Sequence, residues 1–171
     1  AIEAHVDFVL ICGDLFEHRT IQPAILNQAQ LCLQKLKDAG IPALAIEGNH
    51  DNRPYGVLTS WLQYLAQQRL LTLLEPGNTV DGEPFYSAWN PDTFRGGYID
   101  LPCGVRVLGS RWYGATAPQA LQIMAAAIAV LPPPPGPTVL MVHHGLEGQV
   151  ARYSGALRYQ DLLSLKHVGV D

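Results

Sequence analysis

Short apolar runs, each closed by a glycine or a polar turn, alternate along the first half of the chain with longer stretches whose apolar positions fall three and four apart. Val6–Cys12 (VDFVLIC) is β-branched and apolar and ends at Gly13-Asp14, the pattern of a buried strand feeding a loop. Thr20–Ala39 follows with Ile25, Leu26, Ala29, Leu33 and Leu36 on one helical face, and Gly40 stops it. Ala43–Ile46 is a second strand, delivered into the polar turn Asn49-His50-Asp51-Asn52-Arg53-Pro54. An amphipathic helix over Val57–Gln68 and a third strand over Leu70–Leu74 complete a strand-helix-strand-helix-strand order, which predicts parallel pairing with helices packed on the sheet. From Pro76 to Pro102 the chain turns rich in Gly, Pro, Asn and Asp, and Gly97–Leu101 and Val105–Gly109 read as antiparallel strands. Ala117–Leu131 is an Ala-rich helix, Pro132–Pro137 a stiff surface connector, and Thr138–Val142 a last strand ending in His143-His144-Gly145.

Composition narrows the class more than the function. The 171 residues suit one globular domain, with 48% hydrophobic residues for a core. Only 15% are charged, against roughly 25% in an average soluble domain, so long disorder and charged tails are not expected. A net charge of -4 argues against a nucleic-acid binder held by a basic face, although bound cations can reverse a local field. Cys12, Cys32 and Cys103 show no metal or disulfide spacing; a reducing cytoplasm is the expected compartment, with Cys12 and Cys32 expected as buried, inert thiols. The apolar run Met124–Leu131 is far below the ~18 residues of a membrane span.

Three polar clusters stand just after the C-terminal ends of apolar strands: Gly13-Asp14, Gly48-Asn49-His50-Asp51 and His143-His144-Gly145. Loops at that edge of an α/β sheet converge on ligands, and each cluster has a glycine to allow close approach. Carboxylate, amide oxygen and imidazole together suit Mn, Fe or Zn. Taken singly, Gly-Asp and Asn-His-Asp are ordinary turns and a strand-end histidine is an ordinary structural residue. Their recurrence on three strand ends is the argument for chemistry.

The Gly13-Asp14, Gly48-Asn49-His50-Asp51 and strand-end His143 motifs resemble those of the calcineurin-like metallophosphoesterases. The stretch from Asp7 to Phe16, the helix ending at Gly40-Ile41-Pro42, and the Gly-Asn-His-Asp turn are similar to the nuclease subunit of bacterial SbcCD-type DNA repair complexes. The resemblance implies an α/β fold, a two-layer β-sandwich flanked by helices, incomplete at both ends, so that residues 1–171 form a partial nuclease domain. It implies two divalent metal ions, manganese first and iron or zinc as alternatives, which activate water and neutralise the attacked phosphate. Asp14 would bridge both ions, Asn49 and His143 would bind the second, His50 would face the scissile phosphate and protonate the leaving oxygen, and Asp51 would orient His50. Expected partners are DNA and an SbcC-like ATPase, with a homodimer open and no membrane.

The chain departs from that pattern in two places. The family's Asp-x-His and Gly-His-x-His motifs do not occur, so an interior slice that binds metal weakly and is inactive alone is expected. Glu17 stands where many relatives carry a histidine, and Glu17 and His18 read as surface residues; His5 and His167 read as ordinary. Arg53 could meet a phosphate or simply lie exposed, and His144 could support His143 or lie exposed. Tyr55, Trp61, Trp89 and Trp112 could stack on bases but more simply pack under loops or in the core. A phosphoesterase for small nucleotides and a non-catalytic scaffold are the competing readings.

Overall fold

The computed structural model describes residues 1–51, 53, 58–77, 84–148 and 156–171. Tyr55 and the expected start of the second helix at Val57 lie outside them. The described elements run β1 (Val9–Cys12), α1 (Pro23–Asp38), β2 (Ala43–Ile46), α2 (Trp61–Gln67), β3 (Thr72–Leu73), β4 (Tyr98–Asp100), β5 (Arg106–Leu108), a 3₁₀ turn (Gly114–Thr116), α3 (Ala117–Ala129), β6 (Thr138–Leu140) and α4 (Tyr159–Lys166). The first sheet is all parallel in the order β1-β2-β3; in the second, β4 pairs antiparallel and β6 parallel with the central β5.

Strand alternation explains why the sheets stack. Ala43 and Ala45 of β2 face a core shared with α1 and α2, together with Leu33, Leu62, Leu65 and Leu73. Leu44 and Ile46, pointing the other way, meet Leu74, Leu101, Val107 and Met141 between the two sheets. Leu108 lies on the far side of the second sheet with Leu121, Met124, Leu157 and Leu165, under α3 and α4. The layers are therefore helices, sheet, sheet, helices, the sandwich that the resemblance implies. The inter-sheet contact is tight at one point: a Cβ on Gly109 would meet the Leu74 carbonyl oxygen and lie 2.5 Å from its Cβ.

Local signals set the boundaries. Pro23 opens α1, where a missing N–H costs nothing. Gly40, at φ +72°, closes it, with its N–H on Lys37 O and the Ile41 N–H on Leu36 O. α2 starts late because Ser60 caps it, accepting from Gln63 N at 3.1 Å while Gln63 Oε1 takes Ser60 N at 3.2 Å. Arg106, only 4% exposed, pairs with Asp100 at 2.6 and 2.8 Å, donates to Pro132 O and lies over the Tyr98 ring. It thereby ties the β4–β5 pair to the exposed proline connector.

One expectation needs correction, and one element carries no signal in the sequence pattern. Cys12 and Cys32 are exposed: Cys12 ends β1, which has a partner on one side only among the described strands, and Cys32 lies on the open side of α1. α4 was not anticipated, because an eight-residue helix with one buried side chain, Leu165, carries little periodicity. Among the described residues no helix is long and apolar enough to cross a membrane.

Candidate functional site

The loops after β1, β2 and β6 meet at one edge of the sandwich, and glycine makes the meeting possible. A Cβ on Gly48 would collide with Asp14 Oδ1 and come within 2.6 Å of Asp14 N. A Cβ on Gly13, whose φ is +87°, would come within 2.5 Å of His143 Nδ1 and 2.8 Å of Gly48 Cα. Asp14 itself takes a left-handed backbone at φ +52°, a conformation that aspartate tolerates better than most residues. The strain turns its carboxylate back over the second loop, where Oδ1 accepts the His50 N–H at 3.0 Å.

Three donor atoms converge there. Asp14 Oδ2 lies 3.3 Å from His143 Nε2, and Asn49 Oδ1 lies 3.0 Å from the same nitrogen. His143 Nδ1 is 2.8 Å from the carbonyl oxygen of Cys12; a carbonyl only accepts, so Nδ1 carries the proton. In the neutral ring Nε2 is then a bare lone pair facing two oxygens. Two acceptor oxygens in contact with that lone pair are repelled by it, and a cation held among them relieves the repulsion. Turning the Asn49 amide would relieve one contact and leave the carboxylate facing the lone pair. Adjacent donors on an octahedral ion with bonds of about 2.1 Å stand about 3.0 Å apart, close to the separations found. The set therefore fits a divalent cation. Among the described residues no three His, Cys, Asp or Glu side chains gather for a metal, so an ion here depends on the Asn49 amide.

His50 stands beside this set. Its Nδ1 is buried without a hydrogen bond, 3.7 Å from Asp14 Oδ2, while the side chain as a whole is 43% exposed. A half-open imidazole next to a metal-type donor set can meet a substrate without being a ligand itself. Asp51 is the residue expected to orient His50. Among the hydrogen bonds described, its carboxylate makes none to the His50 ring; it accepts Gly48 N at 3.0 Å, Phe16 N at 3.3 Å and Leu15 N at 3.4 Å. It ties the β1 and β2 loops together and positions His50 only through the backbone. From outside, Arg19 Nη2 donates to Asn49 O at 3.2 Å.

Of the neighbouring side chains, Glu47 and Tyr113 carried no sequence signal. Glu47 hides at the end of an apolar strand, 8% exposed, with Oε1 unpartnered. Burial pushes its carboxyl up to about 7, against a Ser60 hydrogen bond that lowers it. Tyr113 stacks on His144 at 6.1 Å and donates its backbone N–H to His144 Nε2 at 3.4 Å; burial holds that imidazole below its ordinary range. His144 thus belongs to the packing behind His143. His5, Glu17, His18, Arg53 and His167 are exposed. Trp61 donates from Nε1 to Arg19 O, Trp89 packs against the inter-sheet core, and Trp112 lies against Gly114.

Comparison with known proteins gives a match to the calcineurin-like phosphoesterase family over residues 1–171. The chain is also similar to the DNA double-strand break repair protein Mre11 of three archaea. Identity is 26% over 156 residues with that of Saccharolobus solfataricus, which covers 91% of this chain and 35% of the relative. It is 37% over 87 residues with that of Haloferax volcanii, covering 50% and 19%. With that of Archaeoglobus fulgidus it is 41% over 51 residues, covering 30% and 12%. The shared stretches thus span 12% to 35% of those relatives' lengths.

Proposed function

This chain belongs to the calcineurin-like phosphoesterases, and from that premise we propose that it is part of a metal-dependent DNA repair nuclease of the SbcD/Mre11 type, acting on DNA ends or hairpins with an SbcC-like ATPase. The observation that carries the phosphoesterase half is the unscreened contact of Asp14, Asn49 and His143 beside an accessible His50. The DNA half is supported by the relatives' printed role in double-strand break repair. In this reading residues 1–171 make up a partial nuclease domain, in keeping with the much greater length of those relatives.

Asp14, Asn49 and His143 would hold two divalent ions, manganese in the leading assignment. Bound there, such ions supply charge for the attacked phosphate and an activated water. The chain's own residues supply the rest. The Cys12 carbonyl fixes the His143 tautomer, so that Nε2 is available as a donor. The His50 N–H holds Asp14 in place. The half-exposed His50 ring delivers a proton to the departing oxygen.

The test is His50→Ala in the full-length protein. Manganese affinity by calorimetry should stay within about twofold, while cleavage of duplex DNA ends falls roughly 10²–10⁴-fold, the range of a general acid. Collapse of metal affinity would show that His50 is a ligand. Hydrolysis of bis(p-nitrophenyl) phosphate without any action on duplex or hairpin DNA would replace the nuclease by a small-molecule phosphoesterase.

A further inference from the structure

A second polar recess lies next to the candidate metal site. The segments that follow β3 and β5, the start of α2 and the loop before β4 enclose a cleft of about 360 Å³. Its described lining carries three guanidinium groups, Arg53, Arg95 and Arg111, against the single carboxylate of Glu75, with Gln63 and Ser87 as neutral polar neighbours. Glu75 is engaged with Gln63 Nε2 at 3.3 Å. All three arginines are exposed. In a chain of net charge -4 with 11 basic residues, gathering three of them into one concavity is a local reversal of the field.

Two of its arginines sit within a few residues, along the chain, of side chains that pack beside the metal-type donor set or tie its loops. Arg111 lies in the segment after β5 that reaches it, two residues before Tyr113, which packs on His144 beside His143. Arg53 follows Asp51 by two residues and is steadied by Nη1 donating to Leu58 O at 3.0 Å. Guanidinium forks match the oxygens of a phosphate, stay charged at every working pH and are less tightly hydrated than ammonium groups. An apolar ligand has little to meet in this recess, and a lone cation would be repelled.

We propose that this cleft is a second phosphate subsite, taking a backbone phosphate one or more nucleotides from the phosphodiester held at Asp14. It rests on the phosphoesterase reading and sharpens its substrate: a strand with successive phosphodiesters, which one isolated phosphomonoester cannot satisfy. The subsite also answers the objection that an acidic chain cannot grip nucleic acid, since three positive charges gather where the strand would pass.

The experiment uses the full-length protein and an Arg95→Ala/Arg111→Ala double variant, with Arg95→Lys/Arg111→Lys as the charge-conserving control. The probe is a fluorescein-labelled oligothymidylate in EDTA, so that binding is read without metal or turnover. The alanine pair should bind roughly tenfold or more weakly, and its slope of log affinity against log salt should be shallower by about 1.4, two phosphate contacts on a single strand. The lysine pair should keep the salt slope. With manganese, the ratio of kcat/KM for the oligonucleotide to that for bis(p-nitrophenyl) phosphate should fall in the alanine pair. Equal oligonucleotide binding and equal salt slopes in wild type and alanine pair overturn the subsite, while hydrolysis of bis(p-nitrophenyl) phosphate leaves the phosphoesterase reading standing. No hydrolysis of either substrate by the wild type overturns that reading, and the subsite's role with it, whatever the binding.

Discussion

Replacing Asp51 separates two ways in which a carboxylate can serve this site. The side chain is 4% exposed and accepts three backbone N–H groups, from Gly48 at 3.0 Å and from Phe16 and Leu15 at 3.3 and 3.4 Å. Hydrogen bonds to an ionised acceptor contribute about 1.5–3 kcal/mol each, and the two longer ones belong at or below the low end. Asp51→Ala leaves the Gly48 and Phe16 donors buried without an acceptor, so a loss of about 4 kcal/mol is expected. Asp51→Asn keeps one acceptor oxygen and turns an NH₂ toward the remaining donors, for a loss of about 2 kcal/mol. A domain of this size shifts its midpoint by about 2–4 °C per kcal/mol, which places the alanine variant about 8–16 °C lower. The assay is thermal and urea unfolding by circular dichroism in EDTA, where no bound ion masks the difference. If Asp51 acted by orienting the His50 ring alone, both variants would unfold like the wild type and only turnover would suffer. A midpoint within 2 °C of wild type for Asp51→Ala would therefore refute the clamp.

Gly48→Ala should be worse for the metal than for the fold: its Cβ collides with the Asp14 carboxylate, so manganese affinity by electron paramagnetic resonance should fall at least tenfold while the secondary structure persists. Glu47→Gln should change how stability depends on pH in the metal-free protein. Its carboxyl, at about 7 when folded and 4.5 when not, keeps a proton in the folded state that the unfolded chain gives up. That favours folding at low pH and is lost as pH rises, so the wild type should lose roughly 2–3 kcal/mol more than the variant between pH 5 and pH 8. A difference between the two that is flat with pH, or of opposite slope, would refute the burial argument for Glu47.

What could be read in the sequence was punctuation and period. The apolar run Ala43–Ile46 and its glycine-led turn appear where expected, because a strand buried on both faces needs an unbroken apolar run and a close-packed loop needs glycine. The strand-end position of Asp14, Asn49 and His143 was legible for the same reason. The role of Asp51 was not, because its partners are backbone N–H groups, which every residue but proline carries and no sequence pattern marks. Glu47 was hidden by its place after Ile46, where a charged residue reads as the first of the loop although it is as buried as the strand. The short β3, two residues against an expected five, reflects its pairing with β2 at Leu44 and Ala45 only; the apolar residues on either side are buried without extending the ladder.

The geometry also makes the site a property of the whole sandwich. Asp14 and Asn49 come from the first sheet and His143 from the second, 94 residues beyond Asn49, yet the His143 ring is bonded to Cys12 O at the end of β1. The two sheets are held at this distance by Leu44, Ile46, Leu74, Val107 and Met141, and by the close seating of Gly109 on Leu74. In an unfolded chain these donors are scattered, so a cation that needs all three binds only the assembled sandwich. It must then raise stability in proportion to the logarithm of its concentration over its dissociation constant. Conversely, loosening the inter-sheet core should weaken the metal site without touching a ligand. Leu74→Ala, which removes no donor atom, should lower both the unfolding midpoint and manganese affinity, whereas a truncation of equal size under α3, at Leu121, should lower the midpoint and leave affinity per folded molecule unchanged.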